Sequence, residues 1–259
     1  MNFFTKLSPF QKIFFVVFFI AGIVSFFLPA ATGQQSFKSL FTIISIIGLI
    51  STLSGVLTSI YQVRASIACY SWWILNTITY AIVSLSQNLY GQFIQNIIFL
   101  LPIEIAGFIA WKKHIDKSGS ESIEVKRFTA IQWVITLVGL LIAWFLYAEF
   151  LLALPAIFKA LFGMTIEADP QYKLDSLTSV ITIFAVYLTS KRYVEQWHFW
   201  IAANIGIVLF IKTIIVTGTF TSSDLSGALV WAQYGIAAFY GLYNWLKIHR
   251  GQKVQKVNN

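Results

Sequence analysis

Eight apolar stretches of roughly 17–22 residues decide what this chain can fold into, because a helix needs ~20 such residues to cross ~30 Å of hydrocarbon. They are Ile13–Ala31, Phe41–Ile60, Ile67–Leu85, Phe93–Trp111, Phe128–Phe150, Leu174–Ser190, Phe199–Phe220 and Leu225–Leu246, and they take up most of the 259 residues. Lipid offers no partner to backbone N–H and C=O groups, so a spanning segment is a helix or a strand of a closed barrel. Barrel strands alternate polar and apolar side chains over ~10 residues; these runs do not alternate. The chain is 58% hydrophobic and only 11% charged, against ~25% charged in soluble domains. The expected fold class is therefore all-α, a polytopic membrane protein. A soluble enzyme, a nucleic-acid-binding domain and a large extramembrane catalytic domain are excluded.

The formal net charge of +8 is explained by its distribution. With the N-terminus in the cytoplasm and eight alternating helices, one side holds Lys6, Lys12, Arg64, Lys112, Lys113, Lys117, Lys126, Arg127, Lys191, Arg192, Lys247, Arg250, Lys253 and Lys256. That is fourteen of the 18 basic residues; Lys38, Lys159 and Lys173 lie opposite, and Lys212 falls inside a span. This is the positive-inside pattern, and it puts both termini in the cytoplasm. Lys6 and Lys12, followed by an apolar run and Pro29-Ala30-Ala31, imitate a signal peptide. The run is long for that purpose and the charge alternation works with it retained. Residues 1–37 are expected to be an accessory hydrophobic helix outside the functional core.

An internal repeat organises the remainder. Arg64, Trp72 and Asn76 recur 128 residues later as Arg192, Trp200 and Asn204, and Gly107-x-x-x-Trp111 recurs as Gly241-x-x-x-Trp245. The chain then divides into a first three-helix repeat (38–114), a linker helix with an outer amphipathic loop (115–173), a second three-helix repeat (174–249) and a basic cytoplasmic tail (250–259). One linking helix reverses direction, so the two triplets run parallel. Transporters built on such repeats hold substrate between the halves near the midplane.

Trp197-x-x-Trp200-x-x-x-Asn204 places three side chains along one helix face. An asparagine in a span is costly without hydrogen-bond partners, and Asn76 is its counterpart in the first triplet. A pseudo-twofold axis would bring the two amides together across a central cavity. Indole faces stack on flat or cationic rings, and amides read hydroxyls or a carboxamide. Interhelical asparagine is also common packing glue, and tryptophan marks membrane interfaces.

Asp175-Ser176, then Lys191-Arg192-Tyr193-Val194-Glu195-x-Trp197-x-x-Trp200-x-x-x-Asn204, together with Asn76, Leu89-Tyr90-Gly91, Tyr234 and the two Gly-x-x-x-Trp endings, resemble the Pnu family of bacterial vitamin transporters. The resemblance covers about residues 41–249. It implies a 3+1+3 parallel repeat of helices, SWEET-like, with an extra N-terminal helix, and a homotrimer in the lipid bilayer of the bacterial inner membrane. It implies facilitated diffusion of nicotinamide riboside, trapped by phosphorylation in the cytoplasm, with no cofactor. Thiamine or a sugar is the alternative cargo. The expected substrate-binding residues are Trp197, Trp200, Asn204, Asn76, Asn96, Gln92, Gln233 and Tyr234. Asn96 stands where the family suggests glutamine.

Glu104, well inside a span, reads first as a structural partner between helices, ahead of proton coupling or holding a cation. Lys212 is expected to snorkel, Asp175 to cap the sixth span, and Cys69 to be a small packing residue. Leu152–Tyr172 reads as an amphipathic helix and loop on the outer face. His114, His198 and His249 are scattered with no acid or cysteine at metal-ligand spacing, and no phosphate-binding or nucleophile motif is present. An intramembrane enzyme is the remote alternative.

Overall fold

The computed structural model describes residues 3–33, 36–86, 89–118, 123–169, 171–206 and 222–258. The long helices are α1 (Pro9–Ala31), α2 (Ile43–Val63) and α3 (Ala68–Ser86), then α4 (Tyr90–Ile94), which runs through a π-helical turn (Gln95–Leu100) into α5 (Leu101–Ser118). They are followed by α6 (Ala130–Phe162), α7 (Tyr172–Ser190), α8 (Gln196–Ala203) and α9 (Ser222–Asn258). Among the described residues the extended pairing is limited to one bridge, Lys126 to Tyr193. Among the described residues four helices, Pro9–Leu28, Ile43–Val63, Tyr90–Lys117 and Ala130–Phe162, are long and apolar enough to cross a membrane by length and composition. Helices α3 and α7 are more polar because they carry interior hydroxyls, among them Thr77, Thr79 and Ser84 on α3 and Ser176, Ser179 and Thr189 on α7. Most of the expected span Phe199–Phe220, with Lys212, lies outside the described residues.

Three local expectations are corrected. Helix α6 does not stop at Phe150; it runs on to Phe162 with Pro155 inside it. Its start is fixed by a reciprocal capping box between Thr129 and Gln132, and its end by Gly163 at φ 68°, a left-handed conformation open to glycine. Of the expected amphipathic segment Leu152–Tyr172, the first part is therefore the end of a long apolar helix, and residues 163–169 lie outside helix and strand. Helix α9 continues through the basic tail, and Gln252 donates to the Ile123 carbonyl (2.8 Å) and accepts from the Val125 N–H (3.0 Å). Asp175 does not cap α7: Gln171 holds the N-cap position, and Asp175 accepts a bond from Gln92 instead.

Helix α1 lies against α2 and α9. Leu7 and Phe14 are buried against Val56, Ile60 and Ala237, Phe10 stacks on Tyr240 with ring centroids 4.1 Å apart, and the Ser8 and Tyr240 hydroxyls meet at 3.1 Å.

Two helix ends are closed in the same way. The last carbonyls of a helix have no partner within it. At the end of α2, the Trp245 indole N–H donates to the Gln62 carbonyl (2.9 Å) and the Asn244 amide to that of Val63 (2.8 Å). At the end of α7, the Trp111 indole N–H donates to the Thr189 and Ser190 carbonyls (3.2 Å each). Just beyond these ends, Ala65 and Arg192 both take positive φ, 52° and 68°. Between the two ends, Gln62 donates to Gln196 (3.1 Å) and to Thr189 (3.4 Å), and Thr189 bonds Gln196 as well.

Glycine permits the close approach beneath each of these tryptophans. A Cβ at Gly107 would stand 2.6 Å from the Tyr70 hydroxyl, and one at Gly241 would overlap the Trp197 ring. Trp197 is 2% exposed and held edge-on by Trp245, so it has nowhere to go. Gly241→Ala is expected to destabilise the folded protein by about 1–3 kcal/mol, the usual range for overpacking. Gly251→Ala on the same helix, which meets nothing within 4 Å, leaves stability unchanged or slightly raised. Thermal unfolding of the two variants in detergent checks this; equal midpoints would refute the packing role.

Candidate functional site

Tyr70 and Trp197 mark one end of the bundle, and depth is measured from them by the helix rise of ~1.5 Å per residue. Asn76 and Thr77 lie ~10 Å further along from Tyr70, and Asn204 lies ~10 Å further along from Trp197. Helix α9 supplies Tyr234 at this depth. A Cβ at Gly55 on α2 would be 2.9 Å from the Tyr234 hydroxyl and 3.4 Å from the Asn76 amide nitrogen, so the two side chains meet over that glycine. Asn204 lies against Gly235, 3.2 Å from the position of a Cβ there. Trp200 faces Trp73 with ring centroids 5.8 Å apart.

The hydrogen bonds at this level are incomplete. Asn76 donates to the Ser51 carbonyl (2.7 Å) and hydroxyl (3.3 Å), and Asn204 donates to the Trp200 carbonyl (3.0 Å). The Asn204 amide oxygen and the Trp200 indole N–H are buried without partners, as is the indole N–H of Trp197 at the end of the bundle, away from this level. Buried polar atoms are normally paired, so unpaired ones from tryptophan and asparagine on one helix face make this face the candidate site. Helices α2 and α3 carry no charged residue, and Glu104 is the formal charge that α5 brings to this depth. The set offers aromatic faces, amide donors and acceptors, a phenol and one carboxyl. That chemistry suits a flat ring bearing hydroxyl or carboxamide groups, and among the described residues no cation stands at this depth to meet a phosphate.

The remaining candidates lie elsewhere. Gln233 is buried and reaches the Ser59 hydroxyl at 3.4 Å, next to the central set on α2. Gln92 lies ~18 Å along the helix from Glu104 and bonds Asp175 (2.8 Å). Asn96 donates to the Gln92 carbonyl (2.7 Å) inside the π-helical turn. That turn precedes Pro102, which lacks an N–H and crowds the preceding turn of helix. It buries Gln95 as well as Asn96, and Ser179 donates to the Gln95 side chain (2.9 Å). Sequence reading missed Gln95 because four-residue spacing from Gln92 selects Asn96. It also missed Trp73, whose neighbour Trp72 is the residue aligned by the 128-residue shift. The signal for Trp73 was its three-residue step from Tyr70, matching that of Trp200 from Trp197.

The end carrying Tyr70 and Trp197 is sealed by further contacts. Ile123, Val125 and Val194 are buried with Trp111 and Trp245. The backbones of Lys126 and residues 192–194 are hydrogen-bonded, and Arg127 pairs with the fully buried Glu195 at 2.8 Å. Burial, reinforced by Lys253 and Arg127, lowers the pKa of His249 at this end, which keeps it neutral at pH 7.

A helical bundle whose centre is lined by aromatic rings, amides and one carboxyl, bounded by long lipid-length helices, is the build of a membrane transporter. The chain belongs to the family described as nicotinamide mononucleotide transporter, whose model matches residues 45–247. It is 26% identical over 226 residues to the nicotinamide riboside transporter PnuC of Neisseria mucosa, covering 85% of this chain and 80% of that one. It is 28% identical over 204 residues to that of Haemophilus influenzae, covering 78% and 80%. A crystal structure described as the vitamin B3 transporter PnuC shares the fold, with a TM-score of 0.69 over 95% of this chain and 94% of that one at 24% identity. The matched family region begins within α2, after α1.

Proposed function

We propose that this chain carries nicotinamide riboside across the bacterial inner membrane, downhill and by alternating access, the cargo being trapped by phosphorylation in the cytoplasm. The observation that carries the reading is the meeting of Asn76, Tyr234, Trp200 and Asn204 at one depth, with amide and indole groups left unpaired and no cation beside them among the described residues. A nicotinamide riboside molecule brings a cationic ring for the indoles, a cation–π contact of about 2 kcal/mol when desolvated. Its carboxamide and ribose match the amides and the phenol. A mononucleotide would bring a phosphate into the same place without a positive partner, which favours the riboside named in the curated relatives over the mononucleotide named in the family description.

The 3+1+3 parallel arrangement is part of the proposal and is supported by pairs of like contacts. Tyr70 lies on Gly107 as Trp197 lies on Gly241, and Trp111 caps α7 as Trp245 caps α2. Gln62 and Thr189, 127 residues apart, bond each other where the two halves meet. Rocking one triplet against the other would open the site to each side in turn. The positive-inside count places both termini, and the sealed end with its tryptophans, in the cytoplasm. A homotrimer belongs to the same reading.

Calorimetric titration of the purified protein tests the substrate. Saturable binding of nicotinamide riboside is expected, with nicotinamide mononucleotide and thiamine phosphate silent. Heat from thiamine and none from the riboside would keep the transporter and change its cargo. Trp200→Ala and Asn204→Ala are each expected to abolish riboside binding while the protein still inserts and stays monodisperse in gel filtration. Unchanged affinity in both would remove them from the site.

A further inference from the structure

Glu104 is fully buried in the middle of a span, and only half of its carboxyl is used. Thr77 on α3 donates to Oε1 at 2.7 Å, while Oε2 is buried with no partner. A carboxyl kept for structure alone would be expected to bond through both oxygens, because leaving a buried polar atom unpaired costs ~1–3 kcal/mol and more for a charged group. Its surroundings do not supply the missing partner. Tyr70, against Gly107 one helical turn from Glu104, has a buried hydroxyl that is itself unpaired, so two polar atoms face the same interior without satisfying each other. Thr77 directly follows Asn76, which fixes Glu104 at the depth of the amide and aromatic set. Intramembrane acids at such depth usually mark the path of a cation or a proton.

We propose that Glu104 is the counter-charge for the cationic ring of the carried nucleoside, a specificity-determining residue held in place by Thr77. This rests on the reading of the cargo as nicotinamide riboside. The carboxylate, with Thr77 on one oxygen, turns the other to the ring cation. A buried charge is tolerable when it is paired and hydrogen-bonded, and cation and carboxylate each supply what the other lacks. The aromatic faces of Trp73 and Trp200 add to cation binding and accept any flat ring. The carboxylate separates a positively charged ring from an uncharged one of the same shape.

Glu104→Gln keeps the size and the acceptor for Thr77 and removes the charge. Calorimetric titration of the full-length protein with nicotinamide riboside, and with its uncharged 1,4-dihydro form, reads the effect. The proposal expects the substitution to weaken riboside binding at least tenfold and to leave the affinity for the dihydro form within about twofold, as a mere packing role would not. Equal loss for both ligands, or no loss for either, would overturn it. Failure of the unsubstituted protein to bind the riboside at all would remove the cargo reading and this inference with it, an outcome distinct from normal wild-type binding with an unaffected variant. Should the variant aggregate, infrared difference spectra of the unsubstituted protein decide. A carboxyl band that shifts with the riboside and not with the dihydro form supports the counter-charge, and the absence of a shift refutes it.

Discussion

In hydrocarbon a polar atom can bond only to protein, and the arrangement of this bundle depends on that constraint. Hydroxyls along α7 fold back onto their own helix, as Thr178 does on Leu174, Thr182 on Thr178 and Thr189 on Ala185. Side-chain amides that cannot do so find another helix: Gln62 reaches Gln196, Gln95 meets Ser179 and Gln92 reaches Asp175. The oxygen of Asn204 and the indole nitrogens of Trp197 and Trp200 are among the buried polar atoms left without a partner, as are Glu104 Oε2 and the Tyr70 hydroxyl. Those of Asn204, Trp197 and Trp200 are gathered on one short helix face, where the chain has gone without partners for its own atoms.

The same constraint explains why tryptophan recurs where helices end. A terminal carbonyl inside the bundle needs a donor that is itself apolar enough to be buried. An indole meets both needs, contributing a large apolar ring and one N–H. Trp111 and Trp245 are fully buried, and each gives its N–H to a helix end of the other half. The glycines four residues earlier let an aromatic ring close directly on the helix backbone. The Gly-x-x-x-Trp ending is thus one device, a slot and a cap, used twice.

Much of this was legible in the sequence, and the unread parts have physical causes. Apolar length reveals helices, and identical residues at a fixed separation single out Trp200 and Asn204 on one helix. Periodicity assumes an unbroken α-helix, so it could not see that Pro102 is accommodated by a π turn that brings Gln95 inward beside Asn96. An ungapped shift of 128 pairs identical residues, whereas the contacts of Tyr70, Trp73 and Gln62 run one residue closer, so Trp72 was selected where Trp73 makes the ring contact. The end of α6 was misjudged because Lys159, Glu167 and Asp169 make 152–172 read as too polar to span, while the capping box at Thr129 and the left-handed Gly163 set its limits. Partnerships such as Gln252 with residues 123–125 bring together parts of the chain more than a hundred residues apart, and no local pattern encodes them.

Closing the tryptophan end and forming the central site are mechanically one event. Tyr70 and Trp197, the residues that seat on Gly107 and Gly241, begin the helix faces that continue into Trp73–Asn76 and Trp200–Asn204. Trp197 also packs edge-on against Trp245, the cap of α2, and Val194, three residues before it, is buried with Ile123 and Val125. Lifting the seal therefore cannot leave the site residues behind. A movement of α8 away from α9 would take Asn204 from Gly235. On the proposed reading, a ligand that bridges the amides and indoles would hold that seal shut from within, and its departure would remove the contacts that keep the end closed.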